Sequence, residues 1–245
     1  MSRLGDADDP RRRVLVQALA MGLLSAAAPA RQALGDELFG RTPSKLPEGQ
    51  SIYKISGSAT VNGTAATLQT PIKATDTVAT GPDSEIIFVV GGNSMILRSN
   101  SRLELAAQKD AKDSFLISGL RLLQGAILSV SRSNGLSLRT PTATIGIRGT
   151  GVYMEADPEQ TYFCTCYGIS DTTAISDPES KETVVATHHD HPLYILANAP
   201  AGQSIRRAPF INHSDQELAL IETLVGRTPP WVFPGSLYSA PRRDY

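Results

Sequence analysis

Two cysteines occur in the chain, Cys164 and Cys166, within Tyr162-Phe163-Cys164-Thr165-Cys166-Tyr167-Gly168. All four histidines lie downstream: His188, His189, His191 and His213. If 162–167 forms a strand, residues two apart point to one face, so both thiols face the same way. Their Cα atoms would then be about 6.5–7 Å apart with parallel Cβ vectors, at the outer limit for a disulfide. A bridge would need a local bulge. Two parallel thiolates beside imidazoles suit a soft or borderline metal.

Three readings stay open for the pair. An oxidising compartment favours a disulfide. Buried free thiols would pack as small hydrophobes. A metal or haem-related site would use Cys164 and Cys166 with His188, His189 or His191, and its metal would be zinc, copper or iron. His-His-Asp-His taken alone is an ordinary solvated loop. Its clustering, with only His213 set apart, is what marks it, and Asp190 is the expected partner behind the ligands.

Catalysis finds less support. No Gly-x-Ser-x-Gly elbow, His-Glu-x-x-His pair, phosphate-binding loop or dinucleotide fingerprint occurs. The strongest enzymatic idea is thiol–disulfide or metal-assisted redox chemistry at the two cysteines. The expectation is a protein that is not an enzyme. A formal net charge of −1 demands no basic surface, so nucleic acid is not an expected partner.

The elements that would position these residues are short strands. Twenty Gly and sixteen Pro spread along 245 residues favour a turn-rich β-protein. Candidate strands cover 52–55, 58–61, 76–79, 84–90, 94–97, 102–105, 115–123, 126–131, 136–139, 151–155, 161–167, 183–187 and 193–197. Asn62-Gly63 and Gly91-Gly92 supply hairpin turns. Leu103 and Leu105 alternate with Arg102 and Glu104, as a half-buried strand requires. The unbroken run Ile86 to Val90 suits a strand covered on both faces. Residues 171–183 read as a polar loop. One helix is expected over 214–225, with Ser214 and Glu217 forming a capping box and Gly226 a stop. The predicted class is mostly β, a sandwich, roll or solenoid-like sheet with one short C-terminal helix.

The N-terminus carries an export pattern: Arg11 to Arg13, an apolar stretch over 14–28, then Ala28-Pro29-Ala30. It also resembles a twin-arginine signal, with Val14 where Phe is usual. The expected organisation is a signal peptide at 1–30, an irregular leader at 31–50, a β-domain at 51–168 and a C-terminal extension at 169–245. Membrane attachment is expected only if the N-terminal segment stays uncleaved.

Thr80-Gly81-Pro82-Asp83-Ser84, the run 120–128 with Gly125, and above all Thr140-Pro141-Thr142-Ala143-Thr144-Ile145-Gly146-Ile147-Arg148-Gly149-Thr150 resemble the FecR domain family. That family is named for the periplasmic part of the bacterial iron-dicitrate signal transducer. The resemblance runs from about residue 52 to 168. It implies a periplasmic sensing or interaction module whose partner is another envelope protein. Only about ten residues precede the apolar segment, so the resemblance implies a free-standing version without a cytoplasmic sigma-factor region. In the motif, Gly146 and Gly149 would let the backbone turn or bulge, and Pro141 suits a strand start. Arg148 would pin the turn on a carbonyl or a nearby acid, or alternatively bind an anion, and Thr150 opens the closing strand.

Overall fold

Among the described residues, fourteen strands and one helix follow the alternation read from the chain. The computed structural model describes residues 43–109, 115–132, 134–228 and 230. The segment expected to direct export and most of the expected leader lie outside the described residues, as does most of the tail. The strands are β1 (Ile52–Ser56), β2 (Ala59–Val61), β3 (Thr64–Ala65), β4 (Thr77–Thr80), β5 (Glu85–Val90), β6 (Asn93–Leu97) and β7 (Arg102–Lys109). They continue with β8 (Phe115–Val130), β9 (Asn134–Arg139), β10 (Ala143–Ala156), β11 (Gln160–Ala174), β12 (Lys181–Ala186), β13 (Leu193–Leu196) and β14 (Ile205–Arg207). The helix is α1 (Asp215–Leu224). Among the described residues no helix is long and apolar enough to cross a membrane.

All strands join one mixed sheet, and only β8 and β9 pair in parallel. The sheet is organised by three long strands that each serve two sets of partners. β8 pairs β7 and β9 along its first half, then β6 and β10 along its second. β10 pairs β9 early and β8 late. β11 pairs β10 throughout, β13 near its start and β12 near its end.

Two expectations change here. The candidate strands 115–123 and 126–131 are one strand, β8, and the motif expected as a turn before residue 151 is the first half of β10. Residues 171–183 are a loop only at 175–180: β11 runs on to Ala174 and β12 starts at Lys181. Their polar composition hid an alternation in which Thr172 and Ala174 are buried while Asp171 is exposed. The boundary read at Gly168 falls inside β11.

Alternation divides the interior into two clusters. Val152, Met154 and Phe163 face the larger one, with Ile86, Phe88, Met95, Leu97 and Ile127. Tyr153, Tyr162, Cys164 and Cys166 face the other, with Ile87, Ile96, Leu128 and Val130 from the sheet and Leu218, Ile221 and Leu224 from α1. The burial of Ile86 and Phe88 on one side and Ile87 on the other matches the unbroken apolar run of β5.

α1 begins as read: Ser214 Oγ accepts from Glu217 N, and Glu217 Oε2 accepts from Ser214 N at 3.0 Å. At ten residues it is shorter than an isolated helix that holds in water. Docking must therefore hold it, and burying Leu218, Ile221 and Leu224 contributes about 1.5–3 kcal/mol each. Arg98 ties its first turn to the sheet by bridging Glu85 at 2.7 Å and Glu217 at 2.8 Å. Buried Glu222 ties its last turn, accepting from Arg227 Nε at 2.5 Å and from the Tyr167 hydroxyl.

Candidate metal centre

The cysteines lie where β11 is irregular. Thr165 pairs Val152 and Tyr167 pairs Gly151, which leaves Cys166 as the extra residue of a bulge. Cys164, Cys166 and the adjacent Tyr167 therefore all point into the cluster under α1. Both thiols are free and fully buried.

Two histidines close on them. His189 follows β12, its N–H donating to Cys166 O at 2.8 Å and its Nδ1 lying 3.8 Å from Cys164 Sγ. His213 directly precedes the helix N-cap, with Nε2 3.4 Å from Cys166 Sγ and 3.1 Å from His189 Nδ1. The four donor atoms all lie within 4.8 Å of one another, and all four residues are buried. Each imidazole is fixed from behind. His189 Nε2–H donates to Asp215 Oδ1 at 3.0 Å, and His213 Nδ1–H donates to Ile211 O at 2.7 Å. The Tyr153 ring stacks on His213 at 4.5 Å, and Phe210 packs on both imidazoles.

Sequence reasoning found three of these four residues. His188 stays outside the donor set: half-buried, it donates from Nε2 to Asp215 Oδ1 at 2.9 Å. His191 is exposed and lies outside both this set and the smaller group of His188, His189 and Asp215. Asp190 does not back the ligands. It accepts from Thr187 N and Oγ1 and from His188 N, contacts that hold its carboxyl below the usual range and cap the turn. Asp215, the first residue of α1, supports the imidazole instead. His213 was missed because it lies 47 residues beyond Cys166. The signal was its position against the N-cap of a helix whose apolar stripe has to dock.

Burial pushes both thiols up. At Cys164, hydrogen bonds from Cys166, His189 and His213 outweigh it and hold the thiol well below its ordinary value. Cys166 is driven well above its ordinary value by burial and by the neighbouring Cys164. His189 is raised: burial opposes its charge, but Cys164 and Asp215 together favour it. Cys164, His189 and Asp215 thus have the order of a nucleophile, a base and its orienting acid. The arrangement is sealed, however. A cavity of about 670 Å³ nearby is lined by Arg98, Tyr153, Glu155 and Asn212 among others and by neither cysteine nor any histidine. Four converging N and S donors closed off from solvent have the form of a structural metal site, while a substrate would need an open position.

The Thr-Pro motif lies at some distance in sequence and does structural work. Pro141 is exposed just before β10, while the Thr140 and Thr142 hydroxyls meet Thr161 Oγ1 at 2.6 and 2.7 Å inside the protein. Gly149 adopts φ +57° at a bulge following Arg148, as expected. Gly146, expected to flank a turn, is a regular strand residue paired with Ser137 and Asp171. Thr150 is buried within β10. Arg148 pairs with Asp171 at 2.8 Å across β10 and β11, with both side chains half exposed. Replacing it, as Arg148→Ala, should cost under about 1 kcal/mol in denaturant unfolding; a loss several times larger would show that the pair pins the bulge.

The family described as FecR protein matches residues 76–167. This stretch is similar to the FecR family. The match spans well under half of the 245 residues, from just before β4 into β11. Both cysteines of the centre fall inside the matched stretch, and His189, His213 and Asp215 come from beyond it. Two solved structures of a candidate anti-sigma factor from Parabacteroides distasonis ATCC 8503 are similar to this chain, with TM-scores of 0.43 and 0.42 and 12% identity. Each alignment covers 54% of this chain and 58% of the other, so this chain spans little more than half of that protein. No curated protein matches.

Proposed function

We propose that this chain is an exported, non-catalytic FecR-type module that works in the periplasm by binding another envelope protein in a sensing or signalling role. The FecR match over residues 76–167 carries this reading. Two features support it: the arginine-led apolar stretch ending at Ala30, and a cluster of reactive side chains sealed from any substrate.

The surface we assign to the partner is the edge at β12. Among the described residues β12 pairs only with β11, and Val185 on it is 68% exposed. An extended segment of a partner can add to such an edge by main-chain hydrogen bonds, with a pocket or patch reading the protruding side chain. A photo-crosslinking residue at position 185 in the full-length chain, expressed in a Gram-negative host and followed by fractionation, tests both parts. The expected result is a periplasmic protein with one dominant adduct to an envelope protein. Retention of the full-length chain in the cytoplasm overturns the export reading, and an absence of any adduct overturns the edge.

A further inference from the structure

We propose that Cys164, Cys166, His189 and His213 bind a single zinc ion, tetrahedrally and with no open position, and that this ion clamps α1 and its preceding segment to the FecR domain. This inference concerns the interior and does not depend on which partner the module binds.

The geometry comes first. Zinc–sulfur bonds of about 2.3 Å and zinc–nitrogen bonds of about 2.0–2.1 Å place tetrahedral ligand atoms roughly 3.3–3.8 Å apart. The three separations recorded here, 3.1 Å between the nitrogens and 3.4 and 3.8 Å between nitrogen and sulfur, fall on or just beside that range.

The tautomers come second. A carboxylate and a carbonyl only accept, so the outer nitrogens, His189 Nε2 and His213 Nδ1, must carry hydrogen. With the rings neutral, as zinc requires of its ligands, the inner nitrogens then carry the lone pairs, 3.1 Å from each other and beside two sulfurs. Four atoms able to present electron pairs, two sulfurs and two nitrogens, lie within 4.8 Å of one another, and one positive centre can take all four together. The backing groups have the form seen behind metal-bound imidazoles, where a carboxylate or carbonyl fixes ring orientation.

The choice of ion follows from donors and space. Two sulfurs and two nitrogens in a tetrahedral array select zinc or an iron–sulfur centre. A two-iron cluster with paired Cys and His ligands would set the two ligand pairs on different irons, and donors all within 4.8 Å of one another leave no room for it. Blue-copper sites take one cysteine and a distant axial Met; here there are two cysteines, and the nearby Met154 faces the opposite cluster.

The test uses the full chain purified with no metal added, passed over chelating resin and measured by elemental analysis. The expected result is one zinc per chain, with both thiols unreactive toward a disulfide reagent until a strong chelator is added. His213→Ala and Cys166→Ser should each lower zinc affinity by at least about 100-fold, while His191→Ala keeps full occupancy. Should the ligand variants fail to fold, the wild-type zinc count and the visible spectrum of the cobalt-substituted protein decide: intense tetrahedral bands with sulfur-to-cobalt charge transfer are expected. A wild-type chain without metal, one holding stoichiometric iron or copper, or one whose zinc survives His213→Ala overturns the proposal.

Discussion

Chelating the proposed zinc is expected to lower the thermal midpoint by at least about 10 °C and to free α1 while much of the sheet survives. Structural zinc contributes about 10–16 kcal/mol of apparent binding free energy in small domains, and a chain of this size shifts by about 2–4 °C per kcal/mol. Even if half of that energy is lost to strain and to competing partners in the metal-free state, the shift remains large. The asymmetry between helix and sheet follows from what the clamp connects. The larger cluster, with Ile86, Phe88, Leu97 and Met154, is built within the sheet and does not involve α1. The second cluster is closed in part by Ile211, Leu218, Ile221 and Leu224, and its floor of Ile87, Ile96, Leu128 and Val130 would become more exposed once α1 lifts. An apolar dye should therefore bind the chelated protein, and the small helical signal in far-ultraviolet dichroism should fade first. Identical melting curves with and without chelator, with metal loss verified by analysis, would show that docking of α1 does not need the ion.

The second large effect is expected from Gly168→Ala. Gly168 has φ +93°, where a side chain is strained in any surroundings, and a Cβ there would lie 2.7 Å from Gly149 O and 2.6 Å from Thr150 Cγ2. Backbone strain and overpacking each cost about 1–3 kcal/mol, and neither neighbour is a flexible chain end, so a loss of about 3–5 kcal/mol is expected in denaturant unfolding. Because Cys166 lies two residues away on the bulge, the same variant should also bind zinc more weakly. A stability within about 1 kcal/mol of wild type would mean that the β10 bulge yields, and that the turn at Gly168 is adaptable.

Much of this architecture was legible because its physics is local. The capping box at Ser214 and Glu217 and the stop at Gly226 place α1 within a residue of where it forms. Alternation at Leu103 and Leu105 places them in the core, and Asn62-Gly63 turns the hairpin between β2 and β3. What local pattern cannot express is a strand that changes partners. β8 and β11 continue through Gly125 and Gly168, residues that read as endings, because the sheet bends there and pairing resumes with other strands. The centre shows the same division. Spacing put both thiols on one face, and clustering drew attention to His188, His189 and His191. Only tertiary docking of a capped helix brings His213 in and turns His191 away.

The order in which the ligands occur along the chain gives the centre a time of completion. Cys166 is made 47 residues before His213, and Cys164 earlier still. At about 5–20 residues per second the nascent protein carries two unshielded thiols for some 2–10 s before their last partner exists. A chain halted or clipped between residues 189 and 213 keeps the thiols but never gains the fourth donor or Asp215. Shielded thiols thus certify that synthesis and folding have both reached the helix, and a reagent that labels only open cysteines separates finished molecules from fragments.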